Sequence, residues 1–281
     1  MTMDDPAAHA PRRLERAARV LAITRLLLWR VRREQARGLL LAPMGVIAMI
    51  ALAGFASAAY PQVLTGMTAG ALRRGASEVL HVAPVGGGLL EAFVALQAPY
   101  LLATFTGFVA ASFARSLVFA DVARGAMEVW LASGTEIVEL ALSYLAALAV
   151  LTLATLGCSL VALLALAALP GSGIDEFALL RAAHGGDLLL MLLCIAIVSV
   201  EIAMAACLLF PRLSGAHSAL TFSPLQLLSA LPGIALTLLV SAEPAATRWL
   251  PLFTLVAVVA GAALYALLLK RLFDPRLYLA S

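Results

Sequence analysis

Lysine is all but missing from this chain: Lys270 is the only one in 281 residues, and it lies between Leu269 and Arg271. A phosphate-binding loop of the Gly-x-x-x-x-Gly-Lys-Ser/Thr type needs a lysine followed by a hydroxyl residue. That loop is therefore excluded, and any ATP chemistry must come from a partner. Charge of either sign is also scarce, at 12% of residues against 63% hydrophobic. No water-soluble domain buries that much apolar surface. Cysteine is limited to Cys158, Cys194 and Cys207, each within or at the end of an apolar run. They suit small buried hydrophobes, with no sign of a disulfide framework or a metal site. His81 and His184 fall in loops, and two imidazoles are too few for a metal centre. No His-Glu-x-x-His or Gly-x-Ser-x-Gly run occurs, so a membrane hydrolase has no visible catalytic residues.

What the chain does have is six long apolar stretches. About 20 mostly apolar residues suffice for a helix to cross a hydrocarbon core roughly 30 Å thick. Lipid offers no partner for backbone N–H and C=O groups, so helices are the natural spanning form, and strand-period alternation is absent. The expected architecture is an all-α polytopic membrane protein. It has a cytoplasmic segment over 1–38, a six-helix transmembrane domain over 39–270 and a cytoplasmic tail over 271–281. Spans are expected near 39–60, 89–113, 140–169, 187–210, 219–240 and 249–269. An even number of spans places both termini on one side. That side carries 15 of the Lys and Arg residues, including nine Arg before the first span, while the other carries Arg73, Arg74, Arg181 and Arg248. The excess of positive charge predicts cytoplasmic termini in a cell membrane. No cleavable signal peptide is evident, because the leading segment is arginine-rich for too long.

The net charge of +3 reports topology and lipid contact, and no soluble basic face suited to nucleic acid is visible. Arg12, Arg16, Arg19, Arg30, Arg33 and Arg37 form a helical stripe, with Leu14, Ala17, Ala18, Leu21 and Leu28 on the opposite side. This predicts an amphipathic helix along the inner leaflet. The outer loops are short. Pro61–Gly88 is the longest, and its Gly86–Gly88 run reads as a flexible entry to the second span.

The most specific segment lies between the second and third spans, from Asp121 to Ile137. It contains Arg124-Gly125, then Met127, Glu128 and Trp130, then Leu131-Ala132-Ser133-Gly134. Arg124 and Glu128 are four apart, as charges that share a helix face are. Met127, Trp130 and Leu131 give a neighbouring apolar face suited to a cleft. Gly125 either breaks the helix or admits a close backbone. In Arg124, Gly125, Glu128, Leu131, Ala132 and Ser133, and in its overall layout, the chain resembles the permease subunits of ABC-2 type transporters. Ala126 stands where that family usually has Thr, and Gly134 where it usually has Pro. The resemblance implies that this loop is a coupling helix docking a separate ATP-binding subunit. Asp121, Arg124, Gly125, Met127, Glu128, Trp130 and Leu131 would form its contact. It also implies a second permease subunit, with ATP and magnesium held only by the partner. The rivals are an ion-driven secondary transporter and a non-transporting membrane scaffold. Glu201, the one ionisable residue near the middle of a span, is read either as a pathway group or as an interhelical hydrogen-bonding acid. Pro99, Pro224 and Pro232 are expected to kink their helices.

Overall fold

The computed structural model describes residues 15–33, 98–167, 185–209, 223–242 and 254–263, with isolated helical positions at 44, 45, 47, 48, 52 and 252. Most of the first expected span, the loop from Pro61 to Gly88, the tail, His81 and His184 lie outside the described residues. The described chain is helical throughout and contains no strand. In chain order the helices are α1 (residues 15–33), α2 (Ala98–Ala114), α3 (Ala120–Ala123), α4 (Ala126–Ala132), α5 (Ile137–Ala167), α6 (Gly185–Leu209), α7 (Pro224–Ala242) and α8 (Thr254–Ala263).

Among the described residues three stretches are long and apolar enough to cross a membrane: Leu101–Ala123, Ile137–Ala162 and Leu189–Leu208. They answer to the second, third and fourth expected spans. Pro224–Leu238 and Thr254–Ala263 are apolar but shorter. The second span differs from expectation at its end. Arg115 does not stop the helix; Arg115–Phe119 continues from α2 as a π-helical segment and passes directly into α3. The wider turn there rotates the helix beyond it, a device often found at functional sites. It delivers Asp121 to the interior.

The expectation for Pro224 is corrected. Pro224 opens α7 at its first helical position, where no backbone N–H is needed. Pro232 is interior to α7, and Pro99 is helical at the edge of the described residues. Helix α7 starts at Pro224 because Ser223 and Gln226 form a reciprocal capping box. Gln226 N donates to Ser223 Oγ at 3.2 Å, and Ser223 N donates to Gln226 Oε1 at 3.0 Å.

Helices α2 and α7 run antiparallel in backbone contact. A methyl group added to Gly107 would sit 2.5 Å from the Ser229 carbonyl oxygen, and one added to Gly233 would sit 2.5 Å from Thr104 Cα. Thr104 and Thr237 hydroxyls lie 3.3 Å apart at one end of this seam, and Gln226 Nε2 donates to Ser112 Oγ at 3.4 Å at the other. Ala103 and Gly107, and Ser229 and Gly233, are four-residue pairs of small side chains, the pattern that brings helices together where lipid removes the hydrophobic drive. Hydroxyls inside the helices return to their own backbone, as Thr106 to Leu102 O, Thr155 to Leu151 O and Ser229 to Leu225 O.

A hydrophobic core joins Leu117 and Val118, Tyr144 and Leu148, Met204 and Cys207, Leu225, and Ile23, Leu27 and Val31 of α1. It gathers the end of α2, the start of α5, the end of α6 and the start of α7 at one end of the bundle. Helix α1 packs there through Ile23, Leu27 and Val31, a face beside its basic stripe, whereas Ala17, Ala18 and Leu21 are exposed.

Candidate functional site

Asp121 is the pivot of this end of the molecule. It occupies α3, is only 1% exposed, and would be costly without an opposite charge. Arg30 of α1 supplies that charge, with Nη1 2.7 Å from Oδ1 and 2.9 Å from Oδ2. The buried Tyr144 hydroxyl of α5 donates to Oδ2. Three elements distant in sequence thus converge on one carboxylate.

A second ionic contact lies one end of α1 away. Arg16 Nη2 is 2.6 Å from Glu136 Oε1, while Glu139 Oε1 lies 3.6 Å from Arg19 Nη2 and 3.9 Å from Arg16 Nε. The Glu139 side chain is 4% exposed, against 55% and 49% for the Arg16–Glu136 pair. The outer pair is screened by water and contributes little, whereas the buried Glu139 carboxylate depends on its neighbours. Its Oε2 also accepts from the Glu136 backbone N–H at 3.4 Å, capping the first turn of α5. Ser143 Oγ reaches Val20 O at 3.3 Å, which holds α1 against α5 between the two ionic contacts.

Two left-handed glycines isolate α4 between these anchors. Gly125 has φ +69°, ends α3 by donating to Val122 O, and is the N-cap of α4. Gly134 has φ +84° and follows the C-cap Ser133. Gly134 N donates to Leu131 O at 3.1 Å and Thr135 N to Trp130 O at 3.3 Å, the paired bonds of a Schellman ending. A proline cannot adopt a positive φ. Gly134 in place of the resembled family's Pro therefore marks a different exit from the helix.

The sequence-expected site residues are divided by this geometry. Arg124 and Glu128 are exposed, but the turn at Gly125 separates them and they form no ion pair. Met127 and Trp130 are half-buried and pack onto the core, and Asp121 is buried, so none of these three is freely displayed. Leu131 is half-buried, and Val129 is 71% exposed. Sequence reasoning overlooked Val129 as an outward residue and Arg30, Tyr144, Glu136 and Glu139 as anchors. The basic stripe was a partial signal for the anchors. Beneath α4 is a shallow cleft lined by Met127, Leu131, Ile137, Leu140, Tyr144, Met204 and Leu208, with Glu128 as its one carboxylate.

Glu201 belongs to a separate place. It is 6% exposed on α6, and its Oε2 has no hydrogen-bond partner among the described residues. The carboxylate faces Gly261 of α8, where an added methyl would lie 2.5 Å from Oε2. Thr152 and Ser159 of α5 and Ser199 of α6 are also buried hydroxyls without a partner among the described residues. Among the described residues no group of His, Cys, Asp or Glu has the arrangement of a metal site. No protein-family model, curated protein or solved structure matches the chain.

Proposed function

We propose that the chain is the permease subunit of an ATP-driven, ABC-2-like exporter of the cell membrane, with six spans and both termini cytoplasmic. Two permease subunits enclose the pathway. Two separate ATP-binding subunits, which hold the ATP and magnesium, dock beneath. The observation that supports this reading most is the mounting of α4. It is a seven-residue helix set off by two left-handed glycines, seated on the core by Met127 and Trp130, with Arg124, Glu128 and Val129 turned outward. A push on a helix so mounted passes to α2 and α5 together.

Affinity purification of the full chain from its own host tests the reading, and a separate ATPase is expected to accompany it. Glu128→Arg and Val129→Asp each change an exposed position of α4. Each is expected to weaken that complex at least tenfold, as repulsion or desolvation of a charge at an interface does. Trp130→Ala is a poorer test, because it also removes core packing. A purified complex with no ATPase, or one indifferent to both variants, would overturn the proposal.

The buried, unpartnered Glu201 oxygen favours one alternative, an ion-driven carrier in which this acid takes up the proton. Transport by reconstituted chain that follows an imposed proton gradient without ATP, and is abolished by Glu201→Gln, would establish it. Neither ATP- nor gradient-driven transport would leave a membrane scaffold.

A further inference from the structure

Helix α1 has six arginines over residues 15–33, and they face two ways. Arg16, Arg19 and Arg30 turn inward to Glu136, Glu139 and Asp121. Arg25, Arg32 and Arg33 are exposed and have no ion-pair partner among the described residues. The same outward side displays Leu21 at 52%, Leu26 at 48% and Trp29 at 60% exposure, with the Arg33 guanidinium 5.4 Å from the Trp29 ring centroid. Glu15, in the first turn, is the only acid of the helix.

We infer that this outward side of α1 is a docking surface for anionic phospholipid headgroups of the adjoining leaflet. The chemistry commits to lipid. Three large apolar side chains interleaved with three guanidinium groups match a boundary where acyl chains and phosphates are a few ångströms apart. A soluble anion would have no use for the apolar half. The position agrees. Helix α1 is held to the end of Leu101–Ala123 and the start of Ile137–Ala162, two stretches long enough to span, so it lies where their apolar surface ends. Because the other side of α1 grips Asp121, Glu136 and Glu139, lipid bound outside is linked mechanically to the loop carrying α4. The inference rests on the membrane reading and not on an ATPase partner.

Native mass spectrometry of the full chain, purified in detergent and mixed with equal phosphatidylglycerol and phosphatidylcholine, tests it without any ATPase present. Phosphatidylglycerol adducts are expected to predominate. Each of Arg25→Gln, Arg32→Gln and Arg33→Gln should lower that preference about fivefold, since a basic residue near an anionic surface contributes roughly 1 kcal/mol. The triple Lys variant should keep the preference, because charge and not guanidinium shape is required. A control with Lys270, Arg271 and Arg276 changed to Gln should also keep it. Equal adducts of both lipids on the native chain would overturn the inference. So would a preference that survives the triple Gln variant, that falls equally in the control, or that free glycerol phosphate competes away.

Discussion

The carboxylate of Asp121, withdrawn from water, is met in place by the Arg30 guanidinium and the Tyr144 hydroxyl. Removing one member of such a buried pair is far worse than never having had it, because the survivor stays desolvated. Asp121→Asn keeps the shape and deletes the charge, and Arg30 is then left with a neutral partner. The full chain in detergent should lose about 3 kcal/mol of stability, measured by denaturant unfolding, while Glu136→Ala, which removes the exposed pair with Arg16, should cost under about 1 kcal/mol. Equal effects would refute the ranking. Gly261 offers a second residue-scale test. The added methyl of Gly261→Ala would meet the Glu201 carboxylate, so its cost should shrink in a Glu201→Ala background, giving a coupling of about 1 kcal/mol in a double-mutant cycle. Additive costs would mean that the two residues do not oppose each other. Sequence reading located Glu201, because a lone charge in an apolar run stands out. It misjudged Asp121, since a contact with Arg30 spans 91 positions and leaves no local trace.

At the level of elements, local rules made some features legible, and packing decided those that were not. Apolar composition marks the stretches that hold α5 and α6, because a long run of apolar residues is what a spanning helix needs. The start of α7 is readable as Ser223-x-x-Gln226, a capping box, yet the apolar run draws the expected boundary back to Ala219. The π-helical segment Arg115–Phe119 has no compositional mark, so the sequence ends the second span at Phe113. The inward face of α1 is likewise misplaced by pattern alone, because a basic stripe looks solvated until acids appear opposite it. The α2–α7 seam is the element whose geometry leaves least room. Gly107→Ala and Gly233→Ala each put a methyl against rigid backbone at 2.5 Å, so the helices must part. Each should cost about 1–3 kcal/mol, seen as lower thermal stability and as new reactivity of a Cys introduced at Ala230. Gly157→Ala, on α5 with open space around it, should be neutral. A Gly107→Ala chain as stable as the parent would show that the seam is looser than these distances require.

For the molecule as a whole, the decisive fact is that four helix ends meet α1 at one end of the bundle. Met204 and Leu208 share a cleft with Ile137 and Leu140, and Gln226 reaches Ser112. The end of α2, the start of α5, the end of α6 and the start of α7 must therefore lie on the same side of any membrane the bundle crosses. In sequence those ends are flanked by Arg115, Arg124, Arg212 and the nine arginines that precede the first apolar stretch, for which the charge rule predicts the cytoplasm. The grouping of the ends is a matter of geometry, and the compartment is a prediction from charge. Sealed, oriented vesicles bearing single cysteines at Ser133, Arg16 and Ala76, with the three native cysteines replaced by alanine, separate the two statements. A membrane-impermeant maleimide added from the cytoplasmic side should label Ser133→Cys and Arg16→Cys but leave Ala76→Cys intact, and the reverse should hold from the outside. Labelling of Ser133→Cys and Arg16→Cys from opposite sides would break the clasp of α1 on the loop. Joint labelling of both from the outside would keep the fold and invert the protein, placing α4 where no ATP-binding subunit can reach it.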